Sequence, residues 1–157
     1  MLDFFWKLST FECALKREGF LRKGPTNGAE ADWDRFASEV QQQFACVSTP
    51  GFRAALVKLQ TLAPRRQVVR NDRLAWDPVL RKATDSDAEY ILRLLRTSRN
   101  NLFHGGKYPD GPIEEVARNR DILRAALAIL DGCYEIHAGV KKWIDEAHED
   151  ISPPQPA

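Results

Sequence analysis

SDAEYILRLLRTSRNNLFHGGK, residues 86–107, is the stretch on which the fold turns. Ser86 and Glu89 stand three apart ahead of an apolar run, the capping-box pattern in which each side chain satisfies the other residue's backbone N–H. A helix is predicted to start there. Tyr90, Leu94 and Leu95 form its apolar stripe, and Gly105-Gly106, followed by Pro109 and Gly111, ends it in a loop. His104 falls at that exit.

Towards the N-terminus the same periodicity recurs. Phe4, Leu8, Phe11 and Leu15 are spaced for one face of an amphipathic helix ending near Gly19, and Lys7, Glu12, Lys16 and Arg17 fall largely on other faces. Gly24, Pro25, Asn27 and Gly28 make 22–31 read as a loop. Asp32 is an N-cap candidate for a second helix carrying Trp33, Phe36, Val40 and Phe44, and Pro50-Gly51 closes that region. A short third helix covers Phe52 to Leu62, ahead of Pro64. Between Pro64 and Pro78, Val68-Val69 and Leu74-Ala75-Trp76 flank Asn71-Asp72, a pattern open to a small hairpin or an irregular loop.

Beyond the glycines, Pro112 and Glu114-Glu115 suit a helix N-terminus, and Val116, Leu123, Leu127 and Leu130 continue a buried stripe in a last helix running to about Ala147. The expected fold class is all-α, a bundle of about five helices forming one domain over 1–150. A disordered Pro-rich tail is expected at 151–157.

Composition narrows the function classes. With 157 residues, 43% hydrophobic and 29% charged, the chain fits one ordinary globular domain. No apolar run approaches the roughly 18 residues a membrane span needs, and charges interrupt the N-terminal apolar stretch, so neither a span nor a cleaved signal peptide is expected. Cys13, Cys46 and Cys133 lie far apart without metal-ligand spacing, which suits a reducing cytoplasm; no metal and no cofactor are expected. The formal net charge of +1 gives no global field for a polyanion, so any nucleic-acid contact must be local.

A local concentration exists. Arg81, Lys82, Arg93, Arg96, Arg99 and Lys107 face Asp85, Asp87 and Glu89 across 81–107, a local balance of +3. Arg96, Asn100 and His104 follow at four-residue spacing and share a helical face, a phosphate track beside the glycine exit. Arg99 and His104 are five apart, roughly 140° around the axis, so their meeting requires a long side chain, a distorted helix or a second subunit. A His with an ordinary pKa of about 6.5 can exchange a proton near neutrality, and a guanidinium can clamp a phosphate bidentately. Together they can cleave RNA. His104 would assist attack of a 2′-hydroxyl or protonate the leaving oxygen, Arg99 would stabilise transition-state charge, Asn100 would orient either, and Lys107 would add a phosphate contact.

Arg99-Asn100-Asn101-Leu102-Phe103-His104 resembles the motif of HEPN-domain ribonucleases, an Arg and a His separated by four to six residues, with Asn common directly after the Arg. Phe11-Glu12-Cys13-Ala14-Leu15-Lys16 and Phe103-His104-Gly105-Gly106-Lys107 are similar to one bacterial subfamily, and the likeness in helix order extends to about Asp150. The resemblance implies a homodimer with two Arg99/His104 pairs across a shared cleft. Such a dimer cuts RNA without metal, in a toxin or host-defence setting with an antitoxin or other regulatory partner. Toxins of this family paired with a nucleotidyltransferase antitoxin often carry a Tyr two positions after the His. Gly106 stands there and the nearest Tyr is Tyr108, which argues against that control.

Blander readings compete. An Arg and a His near a helix end also serve as a cap on exposed carbonyls. A catalytically silent HEPN-like module that binds RNA or nucleotide, or docks on a partner, would keep the same motif. Taken singly, Arg93 and Arg96 read as solvated-face cations, His137 and His148 as exposed helix residues without a role, and the four Trp as core or interface anchors. Glu12 reads as a surface or helix-pairing carboxylate, with an orienting role at the cleft as its alternative.

Overall fold

The computed structural model describes residues 2–103 and 113–149. In chain order these form α1 (Leu2–Arg17), β1 (Leu21–Lys23), β2 (Ala29–Ala31), α2 (Trp33–Cys46), α3 (Pro50–Leu62), β3 (Arg65–Arg70), β4 (Arg73–Pro78), α4 (Asp87–Phe103), α5 (Ile113–Ile136) and α6 (Ala138–Glu149). The described protein is mostly helical, with two separate two-stranded antiparallel sheets. His104, Lys107 and the 151–157 tail lie outside the described residues.

The helix signals act through definite bonds. Ser86 N–H donates to Glu89 Oε2 at 2.7 Å and Glu89 N–H to Ser86 Oγ at 3.2 Å, both halves of the capping box. Asp32 Oδ1 accepts from the Arg35 N–H at 3.1 Å, and Pro50 occupies the first turn of α3. Gly19 ends α1 at φ 95°, with Phe20 N–H donating to Leu15 O and Gly19 N–H to Lys16 O. This left-handed glycine cap turns the chain so that Phe20 enters the core.

One core joins the helices. α3 packs on α5, α2 on α4, and α1 on both α6 and α5. Phe4, Leu15, Phe36, Leu59, Ile91, Leu94, Leu95 and Ile129 are wholly buried between them. Each such side chain contributes about 1.5–3 kcal/mol of transfer free energy, enough to outweigh weak local preferences.

Two expectations change. The stretch 22–31 is not simply a loop: Leu21 pairs with Ala31 and Lys23 with Ala29, and Gly24 N–H donates to Gly28 O at 2.8 Å across the turn. Asp32 N–H donates to Phe20 O at 2.9 Å, so packing of Phe20 and capping of α2 draw the two ends together. The last helix, expected as one run, divides into α5 and α6, giving six helices among the described residues where about five were expected. His137 causes the break by acting as an N-cap, its Nδ1 accepting the Val140 N–H at 3.2 Å. Glu18 occupies the space beside Gly139 that a Cβ would need, and Glu18 Oε2 accepts from Trp143 Nε1 at 3.0 Å, fixing where α6 starts. His137 is accordingly no simple exposed helix residue, since its ring packs against Phe20 and Phe36.

Of the two readings left open for 64–78, the hairpin is the one formed. β3 and β4 pair in register from Arg65↔Pro78 to Arg70↔Arg73, and Asn71 and Asp72 take φ of 51° and 56°. Positive φ at both turn residues matches the twist of a two-residue hairpin.

Candidate functional site

The second half of α4 meets α1, the β1–β2 hairpin and the start of α2 in a polar cleft of about 400 Å³. Trp33 anchors it. Its indole stacks on Phe11 with ring centroids 5.5 Å apart and an interplanar angle of 9°, and its Nε1 donates to Glu12 Oε1 at 3.2 Å. Glu12 Oε2 accepts from Arg99 Nη2 at 3.2 Å, and Arg99 Nη1 donates to Asn100 Oδ1 at 3.0 Å. A line of bonds thus runs Trp33, Glu12, Arg99, Asn100, fixing the guanidinium from both sides while 38% of its side chain stays exposed. Lys16, Arg22, Glu30 and Arg96 complete the polar wall.

Arg96 and Asn100 also line a second, adjoining cleft of about 760 Å³ with Arg66, Lys82, Arg93 and Thr97. Their shared position is the helical face that the four-residue spacing predicts. Asp34 takes Arg96 at 2.9 Å and Arg22 at 3.6 Å from the rim, a solvent-exposed pairing of little net strength. Arg93 departs from the solvated reading, because it grips both oxygens of the nearly buried Asp85. The hydrogen bond from Arg93 holds the Asp85 carboxyl below the usual carboxylate range, and Asp85 in turn raises the Arg93 guanidinium.

Of the residues singled out from sequence, Arg99, Asn100 and Arg96 are brought together at one cleft boundary; His104 and Lys107 lie outside the described residues. Asn100 orients Arg99 directly. Glu12 is more than a surface carboxylate, since it bridges Trp33 and Arg99. Trp33, Arg22 and Asp34 join the site without any sequence signal for it; of that wall, the sequence raised only Glu12, as the alternative reading of an orienting carboxylate. Among the described residues no three His, Cys, Asp or Glu side chains gather as a metal set.

A different, apolar cleft of about 620 Å³ lies between α1, α5 and α6, lined by Phe5, Trp6, Tyr134 and Ile144 among others. Its polar groups include two paired sets, Lys7 with Asp131 and Tyr134 with Asp145. Among the described residues that line it, Lys7 is the one Lys or Arg, beside His148. Chemically the polar cleft is the one suited to a phosphate, because a guanidinium held from two sides loses little freedom on binding a bidentate anion.

No family model matches the chain, and no curated protein or solved structure matches it. No helix among the described residues is long and apolar enough to cross a membrane.

Proposed function

We propose that this protein is a HEPN-like endoribonuclease that cleaves RNA by attack of a 2′-hydroxyl on the adjacent phosphate, without a metal. Arg99 clamps the phosphate and stabilises charge developing on it. His104, which follows the end of α4, transfers the proton, Asn100 orients the guanidinium, and Arg96 and Lys107 hold flanking phosphates. The observation that carries this reading is the Arg99 guanidinium, fixed by Glu12 at 3.2 Å and Asn100 at 3.0 Å in an open polar cleft on the helix that leads into His104. In this reading a second copy of the chain supplies the facing half of a composite site, as the HEPN resemblance implies and as the five-residue spacing of Arg99 and His104 allows. A toxin or defence setting, controlled by an antitoxin or other partner, fits such an activity.

The test is a cleavage assay with purified protein and RNA in excess EDTA. The wild type is expected to cut, and Arg99→Ala and His104→Ala are each expected to lose about 10²-fold or more in rate. Light scattering should show a dimer at working concentration; a monomer alone would count against the composite site.

The Glu12–Arg99 ion pair also favours a second reading, a silent RNA-binding module. A guanidinium already neutralised by a carboxylate can hold a phosphate without doing chemistry. RNA that binds in an Arg99-dependent manner and keeps its length would select this version.

A further inference from the structure

The β3–β4 hairpin has two chemically different faces. Successive strand residues alternate sides, and the register pairs Arg66 with Asp77, Val68 with Ala75 and Arg70 with Arg73, so Arg66, Arg70 and Arg73 share one face. Val69 and Leu74 lie on the other, 79% and 58% exposed. An ion pair between Arg70 and Asp77 at 2.7 Å spans the first face, consistent with that assignment.

This basic face continues the track of α4. Arg66 lines the second cleft with Arg93, Arg96 and Asn100, and Arg96 and Asn100 also line the Arg99 cleft. Guanidinium groups therefore follow one another from Arg99 through Arg96 and Arg66 onto the hairpin. The base is fixed as well: Asn101, buried two residues beyond Arg99, donates through Nδ2 to Arg65 O at 2.7 Å. A positional change in the hairpin is thus tied mechanically to the helix that carries the site.

We infer that the β3–β4 hairpin is an RNA-anchoring arm, with Arg66, Arg70 and Arg73 holding the phosphates of the strand that flanks the Arg99 cleft. The inference rests on RNA being the ligand of that cleft. From Arg66 to Arg70 the strand extends roughly 13 Å, a line of cations matched to a chain of phosphates rather than to one small anion. Among the described residues no carboxylate pairs with Arg66 or Arg73. The Arg70–Asp77 pair lies at the surface, where ion pairs are weak, so a phosphate can displace the carboxylate.

The arm is tested by fluorescence anisotropy with a 2′-O-methyl RNA 20-mer, which binds without offering a 2′-hydroxyl for attack. Replacing Arg66, Arg70 and Arg73 by Gln should weaken binding by roughly tenfold or more and lower the salt-dependence slope by about 2. Arg73→Glu alone, at the exposed tip, should weaken it in the same direction, which guards against a misfolded triple variant. Val69→Ser with Leu74→Ser, on the opposite face, should leave binding unchanged. Equal affinity in the triple variant and the wild type, equal losses from both faces, or no binding by the wild type would overturn the arm. So would vesicles of anionic lipid that bind the basic face as tightly as RNA does. A wild type that binds this oligonucleotide through the arm yet leaves ordinary RNA uncut would remove the nuclease reading and keep the arm.

Discussion

In the first half of α4, Ala88, Ile91, Leu92, Leu94 and Leu95 are at most 1% exposed, whereas in the second half Arg96, Arg99 and Asn100 line two open clefts. Both halves belong to one helix from Asp87 to Phe103. The helix packs against α2, α3 and α5, and the apolar side chains of its first half lie within the core. The polar half is held by directed bonds: Ser98 Oγ to Leu94 O, Asn101 Nδ2 to Arg65 O, and Arg99 Nη2 to Glu12 Oε2. One half supplies stability and the other inherits a fixed direction from it, which is how a cation comes to be aimed without being buried.

Substitutions that break one half and spare the other sharpen that contrast. Leu95→Ala leaves a cavity in the wholly buried half and should cost about 3 kcal/mol, read as a lowered midpoint in denaturant unfolding. Asn101→Ala removes the donor to Arg65 O and should cost about 2 kcal/mol. Faster hydrogen exchange confined to β3 and β4 would locate that loss at the hairpin, whereas uniform acceleration would contradict it.

Asp85→Asn tests the entrance to the same helix, with an expected cost of about 1 kcal/mol at neutral pH. Arg93 lowers the Asp85 pKa in the folded protein, so this contribution is complete above the unfolded-state pKa of about 4. It fades as pH falls from there through the depressed folded value. The stability difference between wild type and Asp85→Asn should therefore shrink on acidification below about pH 4; a difference that grows would reverse the sign. Smallest in stability is Glu12→Gln, expected to change unfolding by less than about 1 kcal/mol while slowing RNA cleavage roughly tenfold through a less firmly oriented Arg99.

How much of this was legible in the sequence depends on the range of the interactions involved. Capping by Ser86, Glu89 and Asp32, and the apolar spacing of Phe4, Leu8, Phe11 and Leu15, act within one or two turns, so residue order alone shows them. The β1–β2 pairing was hidden because Leu21-Arg22-Lys23 has no alternation, and its cause is Phe20 packing against Phe36, sixteen positions on. Helix α6 begins at a His cap beside Glu18, which is distant in sequence and carries no local signal. At the site, Arg96, Arg99 and Asn100 were legible as neighbours on one helix. Glu12 was legible only as the alternative reading of an orienting carboxylate, and Trp33 not at all, because Glu12 reaches the guanidinium, and Trp33 reaches Glu12, through tertiary packing of α1 and α2.

The most direct measurement is the chemistry of the ends produced when purified protein is incubated with a defined RNA in excess EDTA. Wild-type products should carry 2′,3′-cyclic phosphates, and Arg99→Ala and His104→Ala should yield almost none. RNA left intact by the wild type, equal cutting by either variant, or products ending in a free 3′-hydroxyl would contradict the account.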